Sequence, residues 1–523
     1  MSPLRRALLQ RAALAALATQ VPRWAWSQER LRHDPFALGV ASGDPTPSGV
    51  VLWTRLVPAA RGAPLAPLTV HWELADDAGF RRIVQRGQAL ALPEWGHSVH
   101  VEVQGLAPSR WYHYRFHCGD AVSATGRTRT APAPQDLPAR LRMVFASCQR
   151  WEHGHYAAWH HAVNDAPDLV LFLGDYIYEY ASPRDATGLA RVHALRAAST
   201  LADYRDRYAL HKSDPLLQVA HAACPWSVTW DDHEVQNDYA GVRGRGGDGD
   251  GDGDMPAFPA MRQAGWQAFY ENMPLRAASL ARGVDALQVY RSLAWGRLAH
   301  IHLLDTRQFR DWQACRKDGS SGAGGVRPAD CATWSAPQRT LLGAAQEQWL
   351  DARLAENRPK NAPHWSVIAQ QTLFSPRHYP SGLRSTDSWD GYPAARERLL
   401  QSLQRLPQRN TVFLGGDIHQ NYVCNVLAEP DRADAPVLAS EFCGTSITSR
   451  SGATQAKVDA IARHNPHVLL ARCDLRGYGL ADVTPSRWTT TLRVLDDPLR
   501  IDSGASSLAR FVVEDGHPEP QRA

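Results

Sequence analysis

The chain has 523 residues, of which 57 are Lys or Arg and 53 are Asp or Glu, so its formal net charge at pH 7 is +4. This near balance gives no indication of a nucleic-acid-binding protein or of a polybasic membrane-surface protein. A chain of this length exceeds what one hydrophobic core normally holds, so we expect more than one domain.

Residues 1–27 have the features of an export signal. Arg5 and Arg6 precede an apolar Ala/Leu run over residues 12–18, and small residues follow near position 27. The pattern predicts a signal peptide of the twin-arginine type; the alternative is an ordinary secretory signal with two chance arginines. No later apolar run reaches the roughly 18 residues that a membrane span needs. We therefore expect an exported protein, periplasmic or secreted, with no stable membrane span.

Residues 34–130 predict an all-β domain. Short runs rich in β-branched and aromatic residues alternate with Gly/Pro turns. These runs cover residues 50–55, 68–73, 98–103 and 111–116. Several short strands at this spacing are typical of an immunoglobulin-like sandwich. The Pro-rich segment 130–138 is the predicted connector to the next domain.

Residues 139–500 alternate predicted strands with predicted helices, which indicates a layered α/β domain. The predicted helices cover residues 153–164, 203–218 and 335–354. Predicted strands, besides those that end in candidate ligands, cover residues 298–305, 364–370, 437–442, 479–483 and 488–494, and a polar tail follows.

Two further segments carry expectations of their own. Cys315 and Cys331 bracket a loop with no apolar packing pattern, and in an exported protein we expect them to form a disulfide. Gly and Asp alternate between residues 242 and 255. This segment predicts a flexible, solvated loop, because the flanking helices and bidentate Glu of an EF-hand calcium site are missing.

Four predicted strands end in residues of the kind that bind metals; they lie within residues 141–149, 169–179, 226–234 and 411–419. The clearest is the run 169–173, in which five apolar residues stop at Gly174-Asp175. An unbroken apolar run is typical of a strand buried on both faces, and open α/β sheets bind ligands at the carboxyl ends of their strands. We therefore expect the four ends to meet at one edge. The candidate metal ligands are Cys148, Asp175, Tyr178, Asp232, Asp417 and His419.

The candidate ligands are chemically mixed. Carboxylate oxygens suit calcium, magnesium or manganese, whereas the thiolate of Cys148 and the phenolate of Tyr178 favour a more acidic ion such as ferric iron. The set therefore predicts more than one metal. Two metals a few ångströms apart can clamp the attacking and leaving oxygens of phosphoryl transfer. The sequence has neither a P-loop nor a Gly-x-Ser-x-Gly elbow.

Several longer motifs occur around these residues. They are Phe36-Ala-Leu-Gly-Val-Ala-Ser-Gly-Asp-Pro45, Phe145-Ala-Ser-Cys-Gln149, Gly174-Asp-Tyr-Ile-Tyr-Glu179, Trp230-Asp-Asp-His-Glu-Val-Gln-Asn-Asp-Tyr239, Leu304-Asp-Thr-Arg-Gln-Phe-Arg310, Trp389-Asp-Gly-Tyr-Pro-Ala-Ala-Arg-Glu-Arg398 and Gly415-Gly-Asp-Ile-His-Gln-Asn-Tyr422. In this order they resemble the PhoD family of secreted alkaline phosphatases and phosphodiesterases, which is related to purple acid phosphatases. The resemblance implies a metallophosphatase-like layered α/β sandwich preceded by an immunoglobulin-like all-β domain.

The resemblance also implies a ferric ion, Fe³⁺, with calcium ions, Ca²⁺. By motif position, Cys148 and Tyr178 would hold the iron, and Asp175 would bridge to a second metal. Asp232 would bind metal and take part in catalysis, while His233 would act on the substrate phosphate or leaving group. Asp417 and His419 match the final metal-binding motif.

Substrate-binding roles are expected for His233, Asn237 and Arg307. Structural alternatives stand beside several of these roles. Arg307 could simply pair with Asp305, and Asn237 could cap a turn. Cys148 could be an inert buried thiol, and Tyr178 could be ordinary core packing.

The sequence thus predicts an exported metal-dependent alkaline phosphatase. It would hydrolyse phosphate monoesters, and diesters as well, through a metal-bound hydroxide. One alternative within the family is a phospholipase D-like or teichoic-acid-type phosphodiesterase. An alternative of another class is a non-catalytic exported protein that binds phosphate or metal. The expected partners are small or polymeric phosphate esters and the twin-arginine export machinery.

Overall fold

The structure is a computed structural model that describes residues 33–57, 66–244, 258–316, 324–356, 363–406 and 410–523. The predicted signal peptide, and the Gly/Asp-rich segment from residue 245 onward, lie outside the described residues. None of the helices in these ranges combines the length and the apolar character that a bilayer crossing needs.

The described residues form 24 strands and seven α-helices. The strands are β1 (Val40–Thr46), β2 (Gly49–Arg55), β3 (Leu68–Ala75), β4 (Ile83–Ala91), β5 (Ser98–Gln104), β6 (Trp111–Cys118), β7 (Ala121–Val122), β8 (Gly126–Arg129), β9 (Leu141–Ala146), β10 (Leu169–Leu173), β11 (Trp226–Thr229), β12 (Arg291–Trp295), β13 (Ala299–Leu303), β14 (Gly325–Val326), β15 (Trp365–Ala369), β16 (Arg384–Ser385), β17 (Thr411–Gly415), β18 (Asn421–Leu427), β19 (Val437–Cys443), β20 (Val468–Arg472), β21 (Gly477–Val483), β22 (Arg487–Leu495), β23 (Ala505–Glu514) and β24 (His517–Arg522). The helices are α1 (Ala157–Asn164), α2 (Leu201–Lys212), α3 (Pro215–Ala223), α4 (Phe258–Asn272), α5 (Ala344–Ala355), α6 (Pro393–Gln404) and α7 (Gln455–His464).

Two sheets pack face to face at the centre of the molecule. One has ten strands in the order β24-β23-β22-β21-β9-β10-β11-β1-β2-β5, and the other has seven in the order β12-β13-β15-β17-β19-β18-β20. Alternation along β10 explains the layering: Leu169, Leu171 and Leu173 pack in the core shared by both sheets, whereas Val170 and Phe172 pack against helices. The strand is therefore buried on both faces, as predicted.

Helices cover the outer faces of both sheets. Helices α1 to α4 pack on the ten-stranded sheet, and α5 and α6 pack on the seven-stranded sheet. The resulting helix–sheet–sheet–helix layers confirm the predicted layered α/β sandwich.

The N-terminal part is all-β, which confirms the predicted fold class. A smaller sheet, β4-β3-β6-β7 with β8 beside β6, shares a hydrophobic core with residues of β2 and β5. However, β1 also pairs in parallel with β11, at Gly43 and Trp226, so the N-terminal strands extend the ten-stranded sheet. A Cβ atom at Gly43 would lie 2.7 Å from the carbonyl oxygen of Trp226, so this junction requires glycine. The exact limits 34–130 and 139–500 stay a prediction.

The helix predicted over residues 203–218 is two helices. Helix α2 ends at Lys212, and Asp214 caps α3 by accepting from the backbone N–H of Leu216. Pro215 explains the break, because it cannot donate the next helical hydrogen bond but fits the first position of a new helix. The helix predicted from residue 335 begins only at Ala344.

The predicted polar tail forms strands β23 and β24. In β23, Ala509, Phe511 and Val513 pack into the core between the sheets, while residues between them face outward. The alternation of apolar and outward-facing residues that is typical of a strand was present in the sequence, but the many polar residues around it obscured the pattern. The predicted disulfide between Cys315 and Cys331 is present, and the other six cysteines, all among the described residues, are buried and form no disulfide.

Candidate metal centre

The candidate centre lies where the parallel strands of both sheets end. Strands β9, β10 and β11 run parallel in one sheet, and β13, β15 and β17 run parallel in the other. Their carboxyl ends lie at the same edge of the sandwich. The four predicted strand ends are therefore close together in space.

The candidate ligand atoms form three overlapping groups, and within each group they lie within 4.8 Å of one another. The groups are Cys148, Asp175 and His419; Asp175, Asp232 and His233; and Asp231, Asp232 and Asp417. Because Asp175 and Asp232 each belong to two groups, the three groups form one continuous ligand row. Asp231, the neighbour of Asp232 in the sequence, is also part of this row.

Tyr178 joins the row through its hydroxyl group. Its Oη atom donates to Asp175 Oδ2 at 2.9 Å and lies 3.0 Å from His419 Nε2. Burial, together with the charge of Asp175, raises the pKa values of Tyr178 and Cys148 well above their usual ranges. Both groups are therefore protonated in the metal-free protein, and binding as thiolate and phenolate would release protons.

The backbone is strained at several candidate ligands. Cys148, Asp175, Asp417 and His419 have φ angles of 59°, 56°, 63° and 55°. Positive φ is uncommon for residues other than glycine, and such conformations concentrate at functional sites. At Gly174, φ is 110°, and a Cβ atom there would lie 2.7 Å from the backbone nitrogen of Asp231, in the loop after β11.

Glu234 fixes the ends of β10 and β11 relative to each other. Its buried carboxylate accepts backbone N–H groups from Asp175, Tyr176 and Asp231 at 3.1, 2.6 and 2.8 Å. Burial raises the pKa of Glu234 to about 7. This side chain positions the ligand row without belonging to it.

His233 is held by a carboxylate. Its Nδ1 atom lies 2.7 Å from Glu179 Oε2, which leaves Nε2 as the ring nitrogen available to a substrate. Although burial opposes protonation, Glu179, Asp175 and Asp232 raise the pKa of His233 well above its usual value. The backbone N–H of Asn237 also donates to Glu179, at 2.8 Å, so Asn237 lies beside this pair. The substrate roles of both residues stay predictions.

Arg307 is fully buried and pairs with carboxylates. Its Nε atom donates to Asp231, its Nη1 atom donates to Asp387 at 2.7 Å, and Nη2 lies 3.5 Å from Asp232. Arg307 meets Asp305 through its backbone N–H, which donates to Oδ1 at 2.9 Å, and not through its guanidinium. Burial would raise the pKa of Asp232, but Arg307 and His233 lower it below the usual range. The guanidinium thus offsets part of the negative charge of the ligand row, and its contact with phosphate stays a prediction.

Four supporting residues did not emerge from the sequence as functional. They are Glu179, Glu234, Asp387 and Arg476. Arg476 donates to the backbone oxygens of His419 and Ser449 and so fixes the loop that carries one ligand. Glu179 and Glu234 could have been found as acidic residues inside the motifs that carry ligands. Asp387 and Arg476 lie in segments with no such signal.

The residues of the row fit bound cations. Burial and neighbouring carboxylates raise the pKa values of Asp175 and Asp231 well above their usual ranges, and Asp417 is raised to about 6. In the described structure, Asp232 Oδ1 is buried and accepts no hydrogen bond. Buried carboxylates with unsatisfied oxygens are costly unless a cation compensates them. The oxygen donors suit hard divalent ions, and the Cys148 and Tyr178 end suits a more acidic ion.

Comparison with known proteins gives consistent matches over most of the chain. A family model for "PhoD-like phosphatase" matches residues 143–492, and one for "PhoD-like phosphatase, N-terminal domain" matches residues 22–132. Alkaline phosphatase D from Bacillus subtilis (strain 168) is 42% identical over 490 residues, which cover 92% of this chain and 81% of that protein.

A solved structure described as the structure of PhoD is 41% identical, with a TM-score of 0.86, and the match covers 94% of this chain and 93% of that one. Purple acid phosphatase 15 from Arabidopsis thaliana is 34% identical over only 85 residues, 15% of each chain. The first family model covers more than half of the sequence, and the solved structure shares the fold nearly end to end. This chain therefore belongs to the family of PhoD-like phosphatases.

Proposed function

We propose that this protein is a metal-dependent alkaline phosphatase that hydrolyses phosphate monoesters, and diesters as well. The observation that carries the proposal is the continuous ligand row at the carboxyl ends of the parallel strands. The relative from Bacillus subtilis is named an alkaline phosphatase, which supports the same activity here.

The row divides into two chemically different ends. Cys148, Tyr178 and His419 supply sulfur, phenolic oxygen and imidazole nitrogen, so this end would hold Fe³⁺. Asp232 and the neighbouring carboxylates supply hard oxygens, so that end would hold Ca²⁺. Asp175 lies between the two ends and would be shared. When bound, the metals would supply the Lewis acidity that activates water and offsets charge on the phosphoryl group.

His233 would act on the substrate directly. Because Glu179 engages Nδ1, the Nε2–H of the protonated ring would donate to a phosphate oxygen or to the leaving oxygen. Burial lowers the pKa of His233 in the metal-free protein, but Glu179, Asp175 and Asp232 raise it, and of these Glu179 is not assigned to a metal and would go on favouring the protonated ring. Arg307 and Glu234 would hold the carboxylates and loops of the row in position.

Export would take place through the twin-arginine route, which suits a protein that folds around metals before transport. Arg5 and Arg6 support this proposal. Replacement of both by Lys should leave the protein in the cytoplasm, as cell fractionation would show. Unchanged export of the variant would favour an ordinary secretory signal.

The proposed activity is tested by elemental analysis together with assays before and after chelation. 4-Nitrophenyl phosphate reports monoester hydrolysis, and bis(4-nitrophenyl) phosphate reports diester hydrolysis. Chelation should abolish both activities, and re-addition of iron and calcium should restore them. Faster diester hydrolysis would favour the phosphodiesterase alternative. Stabilisation by metals without any hydrolysis would favour a non-catalytic binding protein.

A further inference from the structure

Most arginines near the ligand row already have partners. Arg307 pairs with Asp231 and Asp387, Arg310 pairs with Asp387, Arg396 pairs with Asp390, and Arg476 donates to backbone and hydroxyl oxygens. Arg377 differs from all of them. Within the described ranges, its guanidinium forms neither an ion pair nor a hydrogen bond; its Cζ atom lies over the ring of Tyr379, 5.6 Å from the ring centre.

Arg377 lies beside the end of the row that contains Asp417. It belongs to the loop that follows β15, and β15 is hydrogen-bonded to β17, which leads to Asp417. Between the two loops, the backbone N–H of Gly416 donates to the carbonyl oxygen of Gln371 at 2.6 Å. Burial lowers the pKa of Arg377, but the charges of neighbouring groups raise it above its usual value. These groups are Tyr379, Tyr422, Asp390 and Asp417. The side chain is a permanent, partly buried cation.

The loop that carries Arg377 is held at five consecutive residues. Glu441 accepts from the backbone N–H groups of Phe374 and Ser375 at 2.6 and 2.8 Å, and His467 Nε2 lies 2.9 Å from the carbonyl oxygen of Pro376. Asp390 Oδ2 accepts from the backbone N–H of Arg377 at 3.0 Å. The side chain of Asn465 accepts from the N–H of His378 at 3.0 Å and donates to its carbonyl oxygen at 2.9 Å. The other oxygen of Asp390 is engaged by Arg396. The protein therefore fixes the backbone of this loop but, within the described ranges, gives the guanidinium of Arg377 no direct hydrogen-bond or ion-pair partner, as in preorganised binding sites.

We propose that Arg377 determines substrate specificity by pairing with a second anionic oxygen group, on the alcohol side of the phosphate ester. The proposal rests on the function proposed above. Arg377 belongs to the loop after β15, which contacts the loop that carries Asp417, so it lies on the Asp417 side of the row. A guanidinium offers two parallel N–H donors, which match a carboxylate or a phosphate group. The preferred substrates would be esters whose alcohol carries a further negative charge.

The kinetic test compares phenyl phosphate with 4-carboxyphenyl phosphate, using the full-length, metal-loaded protein. Arg377→Met should lower kcat/KM for the carboxylated ester by about 10- to 100-fold more than for phenyl phosphate, the loss typical of a charge-assisted hydrogen bond. Arg377→Lys should retain part of the preference. Arg432→Met is the matched control, because Arg432 is exposed and pairs with Glu429 at 2.9 Å; it should leave the ratio unchanged.

A binding test separates this inference from the proposed activity. Calorimetry would compare benzylphosphonate with its 4-carboxy and 4-phosphono derivatives, none of which can be hydrolysed. The wild type should bind at least one derivative more tightly than benzylphosphonate, and Arg377→Met should remove that advantage; the two derivatives distinguish a carboxylate from a second phosphoryl group. If the wild type hydrolyses no ester but shows this preference, the proposed activity fails and the inference stands.

Two results would overturn the inference. In the first, Arg377→Met lowers kcat/KM equally for both esters, which would place the guanidinium on the reacting phosphate. In the second, the folded Met variant keeps the wild-type preference for the anionic derivatives. Thermal unfolding of the Met and Lys variants shows whether each is folded.

Discussion

Asp175 is the residue at which the two ends of the ligand row meet. It is buried, and its pKa is raised well above the usual range because burial and the charges of Asp232, Glu234 and Asp417 outweigh the attraction of His233. Its φ angle of 56° lies in the left-handed region, which Asn adopts readily. Replacement by Asn therefore removes the charge without disturbing the backbone.

Asp175→Asn should remove most activity while the fold persists. We expect kcat/KM to fall by at least about 100-fold, because a shared metal ligand is lost, and the metal content to fall as well. The metal-free variant should unfold at the same or a higher temperature than the metal-free wild type, since a buried carboxyl group that is costly to ionise is gone. Kinetics, elemental analysis and thermal unfolding check these outcomes. Turnover near the wild-type value would count against the metal-centre assignment.

Glu179→Gln should act through His233. Loss of the carboxylate lowers the pKa of His233, because Glu179 is the strongest of the charges that raise it. The alkaline limb of the pH profile of kcat/KM should move to lower pH, and the plateau should fall by about 10-fold. Glu347→Gln is the control, since Glu347 pairs with Arg398 away from the row. An unchanged alkaline limb would exclude His233 as the proton donor.

At the scale of elements, the loops differ in how they are held. The loop after β15 is fixed by hydrogen bonds from four surrounding side chains, whereas the segment between Cys315 and Cys331 is closed covalently. The two cysteines are 16 residues apart. Closing a loop of that length restricts mainly the unfolded chain.

The double variant Cys315→Ser, Cys331→Ser should be less stable than the wild type by about 3 kcal/mol, the loop-closure value for this length. Denaturant unfolding under oxidising conditions measures the difference, and the reduced wild type should match the variant. We expect kcat/KM for 4-nitrophenyl phosphate to stay within about twofold, because neither cysteine belongs to the ligand row. A large loss of activity with unchanged stability would show that the loop shapes the site.

At the scale of the whole molecule, the ligand row concentrates negative charge between two packed sheets. Glu234 and Asp417 have pKa values raised to about 7 and about 6, whereas carboxylates in an unfolded chain titrate near pH 4. Groups with raised pKa values favour the folded state fully below the unfolded pKa, and this contribution is lost as pH rises through the folded pKa. The raised pKa of His233 acts in the same direction.

Above about pH 6.5, the metal-free protein should therefore lose stability as pH rises through about 7, the folded pKa of Glu234. His419, with a pKa lowered to about 3, acts in the opposite direction only below its unfolded pKa of about 6.5. Thermal unfolding after chelation measures the slope, which should be shallower in Glu234→Gln and largely abolished by re-added metals. Constant or increasing stability across this range would contradict the raised pKa values of Glu234, Asp417 and His233.

The sequence by itself determined features that depend on neighbouring residues along the chain. The unbroken apolar run 169–173 predicted a doubly buried strand, and the ligand types predicted a mixed metal site. Two predictions failed for different reasons. The helix predicted over residues 203–218 passed over the local stop signal at Pro215. The polar tail supplies Phe511 to the core, where tertiary packing rather than composition decides burial.

Only the tertiary structure decided which side chains meet. Glu179 and His233 are 54 residues apart, and Arg307 is 80 residues from Asp387. These pairs depend on which strands are neighbours and on how loops from different strand ends approach, and residue spacing along the chain carries no such information. For the same reason, the missing partner of Arg377 and the continuation of the central sheet into the N-terminal strands could be recognised only in three dimensions.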